Sequence, residues 1–233
     1  NDDNVMRAAK NYTGRVVTFG VDSPSADYCA SDIVMEHGRP SFTVMHNGVS
    51  VCRISMHVPG AHNVCDALAA SAVALEHGVS PDALVQALAE FDGAVRRMDR
   101  HGKTETGAVV FDDYAHHPDE LRATIEAVRT MKYDRVVVAF QPHTYTRTKA
   151  LFDEFVRELS AADHLVLAEI YAARERNTVG ISSKDLQALI PGSVYCKDLP
   201  QVTDYLRSIA KPGDIILTVG AGDIFRAGEA LLK

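Results

Sequence analysis

Between residues 15 and 58 the apolar positions fall in short runs rich in β-branched and aromatic side chains: RVVTFG (15–20), YCASDIVME (28–36), FTVMH (42–46) and VSVCRISMHV (49–58). Runs of that length and make-up predict strands. Turn signals separate them at Asp22-Ser23-Pro24, Gly38-Arg39-Pro40 and Asn47-Gly48, the last a strong hairpin signal. The period then changes. Over 61–77 the apolar positions Val64, Leu68, Ala72 and Leu75 recur at helical spacing, and Gly78 suits the position after a helix end. Ser80 and Pro81 open a second predicted helix, running to about Phe91, as N-cap and first helical residue.

Residues 93–101 are polar and basic, and a domain boundary is placed there, dividing the chain into 1–96 and 97–233. Beyond it, apolar strands predicted at 108–112, 135–140, 164–170, 193–196 and 214–219 alternate with helices predicted at 118–131, 147–161, 183–190, 199–209 and 223–232. That alternation predicts an α/β fold with a parallel, doubly wound sheet. Charge supports the division. Residues 1–95 hold 5 basic and 11 acidic residues, whereas 96–233 hold 19 and 20.

The overall balance of −7 argues against nucleic acid as the main partner. No stretch approaches the roughly 18 to 20 apolar residues of a membrane span, and the opening NDDNVMRAAK lacks the basic and apolar regions of a signal peptide. Cys29, Cys52, Cys65 and Cys196 show no CxxC spacing and read as free thiols of a cytoplasmic protein.

In open α/β sheets ligands bind beyond the carboxyl ends of the strands. The segments there are DDYAHHP (112–118), QPHTYTR (141–147), YAARE (171–175) and GAGD (220–223), the first three rich in aromatic, imidazole and charged groups. They suggest a site for an anionic, hydrogen-bonding ligand. Asp112 and Asp113 read as a helix-start carboxylate pair, or Asp113 as a contact to a ribose or a metal-bound water. His116 and His117 could bind a metal, but adjacent residues rarely reach one ion and no second pair has ligand spacing, so no metal site is expected. His143 and Arg147, near a predicted helix start, suit a carboxylate or phosphate; otherwise they are a capping histidine and a surface arginine. Gly220 and Gly222 begin a dinucleotide-like loop, but Phe225 stands at the third glycine position, against NAD. Gly102-Lys103-Thr104 ends like a phosphate loop, yet Arg97 stands where its first glycine belongs.

Taken together, PGAHNVCDALAA (59–70), FDGAVRR (91–97), DDYAHHPDE (112–120), FQPHTYTRT (140–148) and GAGDI (220–224) resemble the Mur ligases, in family order. The resemblance implies the back half of an α/β ATPase-type central domain followed by a whole Rossmann-like C-terminal domain, with NDDN falling well inside the former. The chain would then be the rear part of a longer protein and inactive alone. The motifs are most similar to those of the member that joins L-alanine to UDP-N-acetylmuramate, using ATP and Mg²⁺ and passing through an acyl phosphate in peptidoglycan precursor synthesis. The alternatives are the member that recycles a murein tripeptide, and a non-catalytic nucleotide-binding module. The expected partners are small molecules, with neither nucleic acid nor membrane among them.

By the same resemblance His62, Asn63, Asp66, Arg97 and Asp113 bind ATP, and Mg²⁺ is held mostly outside this chain. Tyr114, His116, His143 and Arg147 meet the amino acid or the muramoyl group, and Asp113, His116 and Arg97 take part in catalysis. Tyr171 and Glu175 match another motif loop without an assigned role. Asp66 replaces a usual asparagine and Thr144 a frequent arginine, each removing a donor.

Overall fold

A computed structural model describes residues 2–233; Asn1 of the NDDN opening lies outside them. The chain forms two compact units, Asn1–Asp92 and Gly93–Lys233, each with its own core.

The first unit begins with α1 (Asp3–Ala9), which hydrophobic periodicity does not announce because none of its residues is buried. Its cap holds it: the Asp2 carboxylate accepts the N–H groups of Asn4 and Val5 at 2.8 and 3.0 Å. The four strands are β1 (Phe19–Gly20), β2 (Tyr28–Glu36), β3 (Arg39–His46) and β4 (Val49–Ser55), hydrogen-bonded in that order. β1 runs parallel to β2, and the other pairs are antiparallel. The strand expected over 15–20 shrinks to two residues. The Asp27 carboxylate takes the Thr18 N–H at 2.7 Å, so only Phe19 and Gly20 pair with β2.

Asn47 (φ 49°) and Gly48 (φ 78°) make the expected hairpin turn, and His37 (φ 49°) and Gly38 (φ 81°) make a second of the same kind. α2 (His62–Glu76) lays Val64, Leu68 and Ala72 against Tyr28, Phe42, Val44 and Ile54. It ends in a Schellman motif, with Gly78 N–H donating to Leu75 O and Val79 N–H to Ala74 O, both at 3.0 Å. α3 (Pro81–Glu90) is capped by Ser80, whose hydroxyl oxygen accepts the Ala83 N–H at 3.3 Å.

The second unit carries a six-stranded sheet of β5 (Asp99–Lys103), β6 (Val109–Asp113), β7 (Arg135–Phe140), β8 (His164–Ala168), β9 (Val194–Cys196) and β10 (Asp214–Val219). The spatial order is β5-β6-β10-β7-β8-β9. All neighbours are parallel except β5 on β6. The polar sequence DRHGK hides β5, which pairs as an edge strand within the segment expected to be a linker.

Helices cover both faces. α4 (Pro118–Thr130), α6 (Phe152–Leu159) and α7 (Ser183–Leu189) pack on the face of Val136, Val138 and Phe140; α8 (Leu199–Ile209) and α9 (Phe225–Ala230) pack on the face of Val137 and Ala139. The single helix expected over 147–161 is two, α5 (Tyr145–Ala150) and α6, broken at Leu151 (φ −113°, ψ 29°). The last strand, β10, inserts between the consecutive strands β6 and β7, and its helix α9 lies on the face opposite the α4 and α6 helices that follow those two strands. This is a topological switch point, where such sheets bind ligands.

Candidate functional site

The carboxyl ends of β6, β7 and β10 release three turns onto one rim of the second unit. After β6, Asp113 is 4% exposed and both its carboxylate oxygens are engaged: Oδ2 accepts the Met98 N–H and Oδ1 the Ala115 N–H, each at 2.8 Å. Burial pushes its carboxyl above the usual range, against those two N–H groups and the Arg97 charge. The carboxylate thus fixes the turn that carries Tyr114 and His116.

His117 caps α4: its Nδ1 faces the Asp119 N–H at 3.3 Å, while Glu120 Oε2 accepts the His116 and His117 N–H groups at 2.8 and 3.1 Å. Glu120 lies below the usual carboxylate range. Burial opposes this, but the His116 N–H, the His116 charge, the His117 N–H and Arg97 outweigh it. Arg97 reaches Glu120 at 3.4 Å, with its side chain 49% exposed. The HHP sequence is therefore a capping turn, and among the described residues no group of three His, Cys, Asp or Glu could hold a metal.

After β7, the Gln141 side chain turns inward. Its Oε1 accepts the Asp223 and Ile224 N–H groups at 3.0 and 3.2 Å, and its Nε2 donates to Asp223 at 3.0 Å. This seats the glycine turn after β10. A Cβ on Gly222 would lie 2.3 Å from Gln141 Oε1 and 2.8 Å from Tyr171 Cγ. Gly222→Ala is therefore expected to lower the unfolding free energy of the second unit by about 1–3 kcal/mol. Denaturant titration checks this, and an unchanged midpoint and slope would show that the turn has room to spare.

A continuous line of rings follows the rim. Arg97 lies 5.7 Å from the Tyr114 ring, Tyr114 meets His116 edge-on at 5.5 Å, His116 lies 6.0 Å from His143, and His143 stacks on Tyr171 at 5.7 Å. Thr144 holds φ 69°, an uncommon conformation for a side-chain-bearing residue, and its N–H donates to Tyr171 O at 2.9 Å. That bond ties the turn after β7 to the loop after β8. Glu175, in the same loop, accepts the Thr146 hydroxyl and N–H, which hold its carboxyl below the usual range.

Two polar atoms on this rim stand out: His143 Nδ1 and Arg147 Nη1 are buried without a hydrogen-bond partner. A buried, unpaired donor on a guanidinium is costly, so an oxyanion placed there would be favoured. Burial, then the charges of Arg147 and His116, push His143 below the ordinary imidazole value, against Glu175. A nuclear magnetic resonance titration is expected to show His143 protonating below free imidazole. Arg147→Ala should move that titration upward, because it removes a repelling cation. An unmoved titration would place Arg147 too far away to be felt.

Of the residues singled out in the sequence, the structure brings Arg97, Asp113, Tyr114, His116, His143 and Arg147 to one rim. His62, Asn63 and Asp66 belong to the first unit, at the start of α2. There Asn63 Nδ2 donates to Pro59 O at 2.7 Å and lies 3.2 Å from His62 Nε2, while His62 and Asp66 are exposed. Arg96, Glu120 and Gln141 were missed. Glu120, three residues after His117, carried the capping-box spacing that could have found it; the other two carried no local signal.

The chain is similar to known families and structures. Residues 96–222 match the model described as Mur ligase, glutamate ligase domain, and residues 1–74 the Mur ligase middle domain. A UDP-N-acetylmuramate–L-alanine ligase of Clostridium novyi is 42% identical over 237 residues, covering 100% of this chain and 51% of its own length. One of Lachnospira eligens is 45% identical, covering 94% of this chain and 48% of its own length. The chain thus spans about half the length of the curated relatives it matches. The crystal structure of the Thermotoga maritima UDP-N-acetylmuramate-alanine ligase superposes with a TM-score of 0.78 at 28% identity, covering 92% of this chain and 46% of that one. A murein peptide ligase from Psychrobacter arcticus does so with 0.64 at 25%, covering 92% and 45%.

Proposed function

The chain belongs to the Mur ligase family, and from that premise we propose that the protein containing it joins L-alanine to UDP-N-acetylmuramate at the cost of ATP. The sequence boundary at 96/97 is read as separating part of the middle domain from the C-terminal domain, with the compact units dividing slightly earlier, at 92/93, so that Arg96 goes with the C-terminal domain. The observation that carries the reading is the pair of unpartnered buried nitrogens, His143 Nδ1 and Arg147 Nη1, at the carboxyl rim of the sheet. A guanidinium there can receive the carboxylate of a free amino acid, leaving its amino group to react.

In the reaction, a carboxylate oxygen of the muramoyl group bonds to the γ-phosphorus of ATP and ADP leaves. The amine nitrogen of L-alanine then bonds to the acyl carbon, phosphate leaves with the former carboxylate oxygen, and the nitrogen gives up its surplus protons. This chain's residues have separable parts in that sequence. Arg147 and His143 hold the amino acid. Tyr114 and His116 wall the space beside it, on the turn fixed by Asp113. Arg97, half exposed, with Glu120 at 3.4 Å and the Tyr114 ring at 5.7 Å, offers a guanidinium to the charge on the transferred phosphoryl group. A contact from Asp113 to ATP would have to use the carboxylate lone pairs left by Met98 and Ala115. His62, Asn63 and Asp66 are assigned to the nucleotide base.

Mg²⁺, which proteins usually hold through one or two carboxylates together with substrate phosphates, is assigned mostly to the remainder of the full-length protein, and no step here runs through it. Among the described residues no helix is long and apolar enough to cross a membrane, and nucleotide substrates suit the cytoplasm.

The test is ATP-dependent phosphate release by the full-length protein, offered free L-alanine or a murein tripeptide. Turnover with L-alanine is expected. Turnover with the tripeptide alone would favour the recycling ligase.

A further inference from the structure

We infer that Arg96, not assigned to the site from sequence, is a positioning residue: its guanidinium ties the turn after β6 to the glycine turn after β10 and so holds the walls of the amino-acid site. This rests on reading that rim as the amino-acid site.

The side chain of Arg96 is only 19% exposed, and all three of its nitrogens are used. Nε donates to Asp112 Oδ2 at 2.8 Å, Nη2 to Gly220 O at 2.7 Å and Nη1 to Gly222 O at 3.3 Å. Two rings lie against the group, that of Tyr114 at 4.8 Å and that of Phe225 at 4.6 Å. The anchor is firm. Asp112 is fully buried, and its other oxygen accepts the Thr218 hydroxyl at 2.7 Å from the neighbouring strand. The Arg96 backbone is committed as well. Its carbonyl accepts the Tyr114 N–H at 2.7 Å, its N–H donates to Asp99 Oδ2 at 3.2 Å, and φ is +62°, a left-handed conformation that needs such support in a non-glycine residue.

From this staple two lines of contact reach the site. One passes through Tyr114 to His116. The other passes from Gly222, which packs on Tyr171, to the His143 ring stacked on Tyr171 at 5.7 Å. The planar fork is what makes the connection, because a lysine could keep the charge beside Asp112 but has one nitrogen where arginine places three, and no planar group to lie against the two rings. Loosening either wall misplaces the amino acid by a fraction of an ångström to an ångström, enough to slow a reaction about 10- to 100-fold.

Arg96→Lys in the full-length enzyme tests this. The expected result is a fall in kcat/KM for L-alanine of about 10- to 100-fold, with KM for ATP changed by less than about twofold. Amide hydrogen exchange is expected to quicken in residues 112–117 and 220–224, while the strands β7 and β8 keep their protection. Equal losses for both substrates, or unchanged exchange in the two turns, would overturn the inference. If Arg96→Lys does not fold, the double variant Arg96→Gln, Asp112→Asn removes the buried carboxylate charge together with its partner and is read by the same two measurements. A wild-type enzyme that fails to use L-alanine would count against the proposed function, while the exchange comparison would still decide the role of Arg96.

Discussion

Incubated with ATP, Mg²⁺, UDP-N-acetylmuramate and L-alanine, the 233-residue chain by itself is expected to release no phosphate above the enzyme-free rate. Phosphoryl transfer needs a cradle of backbone N–H groups, a lysine and a metal around the γ-phosphate. The chain has no GxxxxGK[ST] sequence. Its one near-match, Gly102-Lys103-Thr104, begins inside β5, where Gly102 and Lys103 pair with Val110 and Val109 of β6. Thr104 then donates its N–H to Ala108 O at 2.9 Å in the turn between the two strands. Those N–H groups serve a hairpin, not a strand-to-helix anion cradle. On the proposed reading, the residues present would contribute an arginine and the amino-acid side of the site, but not the electrostatic neutralisation that phosphoryl transfer needs. A phosphate-release assay comparing this chain with the full-length protein measures the difference, and turnover near that of the full-length protein would mean that phosphate is cradled in a way the fold does not suggest.

Arg147→Ala in the full-length enzyme is expected to weaken use of L-alanine by about 10- to 150-fold, corresponding to the roughly 1.5–3 kcal/mol of a hydrogen bond to a charged group. Use of ATP should change little. Nη1 of Arg147 is buried without a partner, so its strongest interaction is one that a ligand supplies, and alanine's methyl cannot replace it. Stability should not fall in proportion, because truncation removes an unsatisfied buried donor rather than a satisfied one. Steady-state kinetics with each substrate varied in turn, beside a thermal melt, separate these effects. Equal changes in the apparent affinities for ATP and L-alanine would remove Arg147 from the amino-acid side.

The sequence made the second unit's architecture legible because buried parallel strands are continuous apolar runs that contrast with their helices. RVVVAF and DIILTV became β7 and β10 with the bounds read from sequence. Elements held by polar contacts were hidden. α1 depends on the Asp2 cap without burying a residue, and β5 is a polar edge strand whose pairing is decided by β6. In the site, residue types and positions at strand ends pointed to Tyr114, His116, His143 and Arg147. What could not be read was which of two adjacent arginines turns inward. Arg96 folds onto Asp112 and the glycine turn, while Arg97 stays half exposed, a choice made by backbone conformation and by strand β10, which lies more than a hundred residues away. For the same reason the pairing of Gln141 with residues 223 and 224 has no local signature.

The most direct test of the rim as a carboxylate site compares L-alanine with L-alaninamide, which has the same amine but no carboxylate, in the full-length wild-type enzyme and in Arg147→Ala. If the guanidinium receives the carboxylate, the wild type should prefer L-alanine by about 10- to 150-fold in kcat/KM, and the variant should treat the two amines nearly alike. The same preference in both enzymes would contradict the assignment and place the amino acid elsewhere.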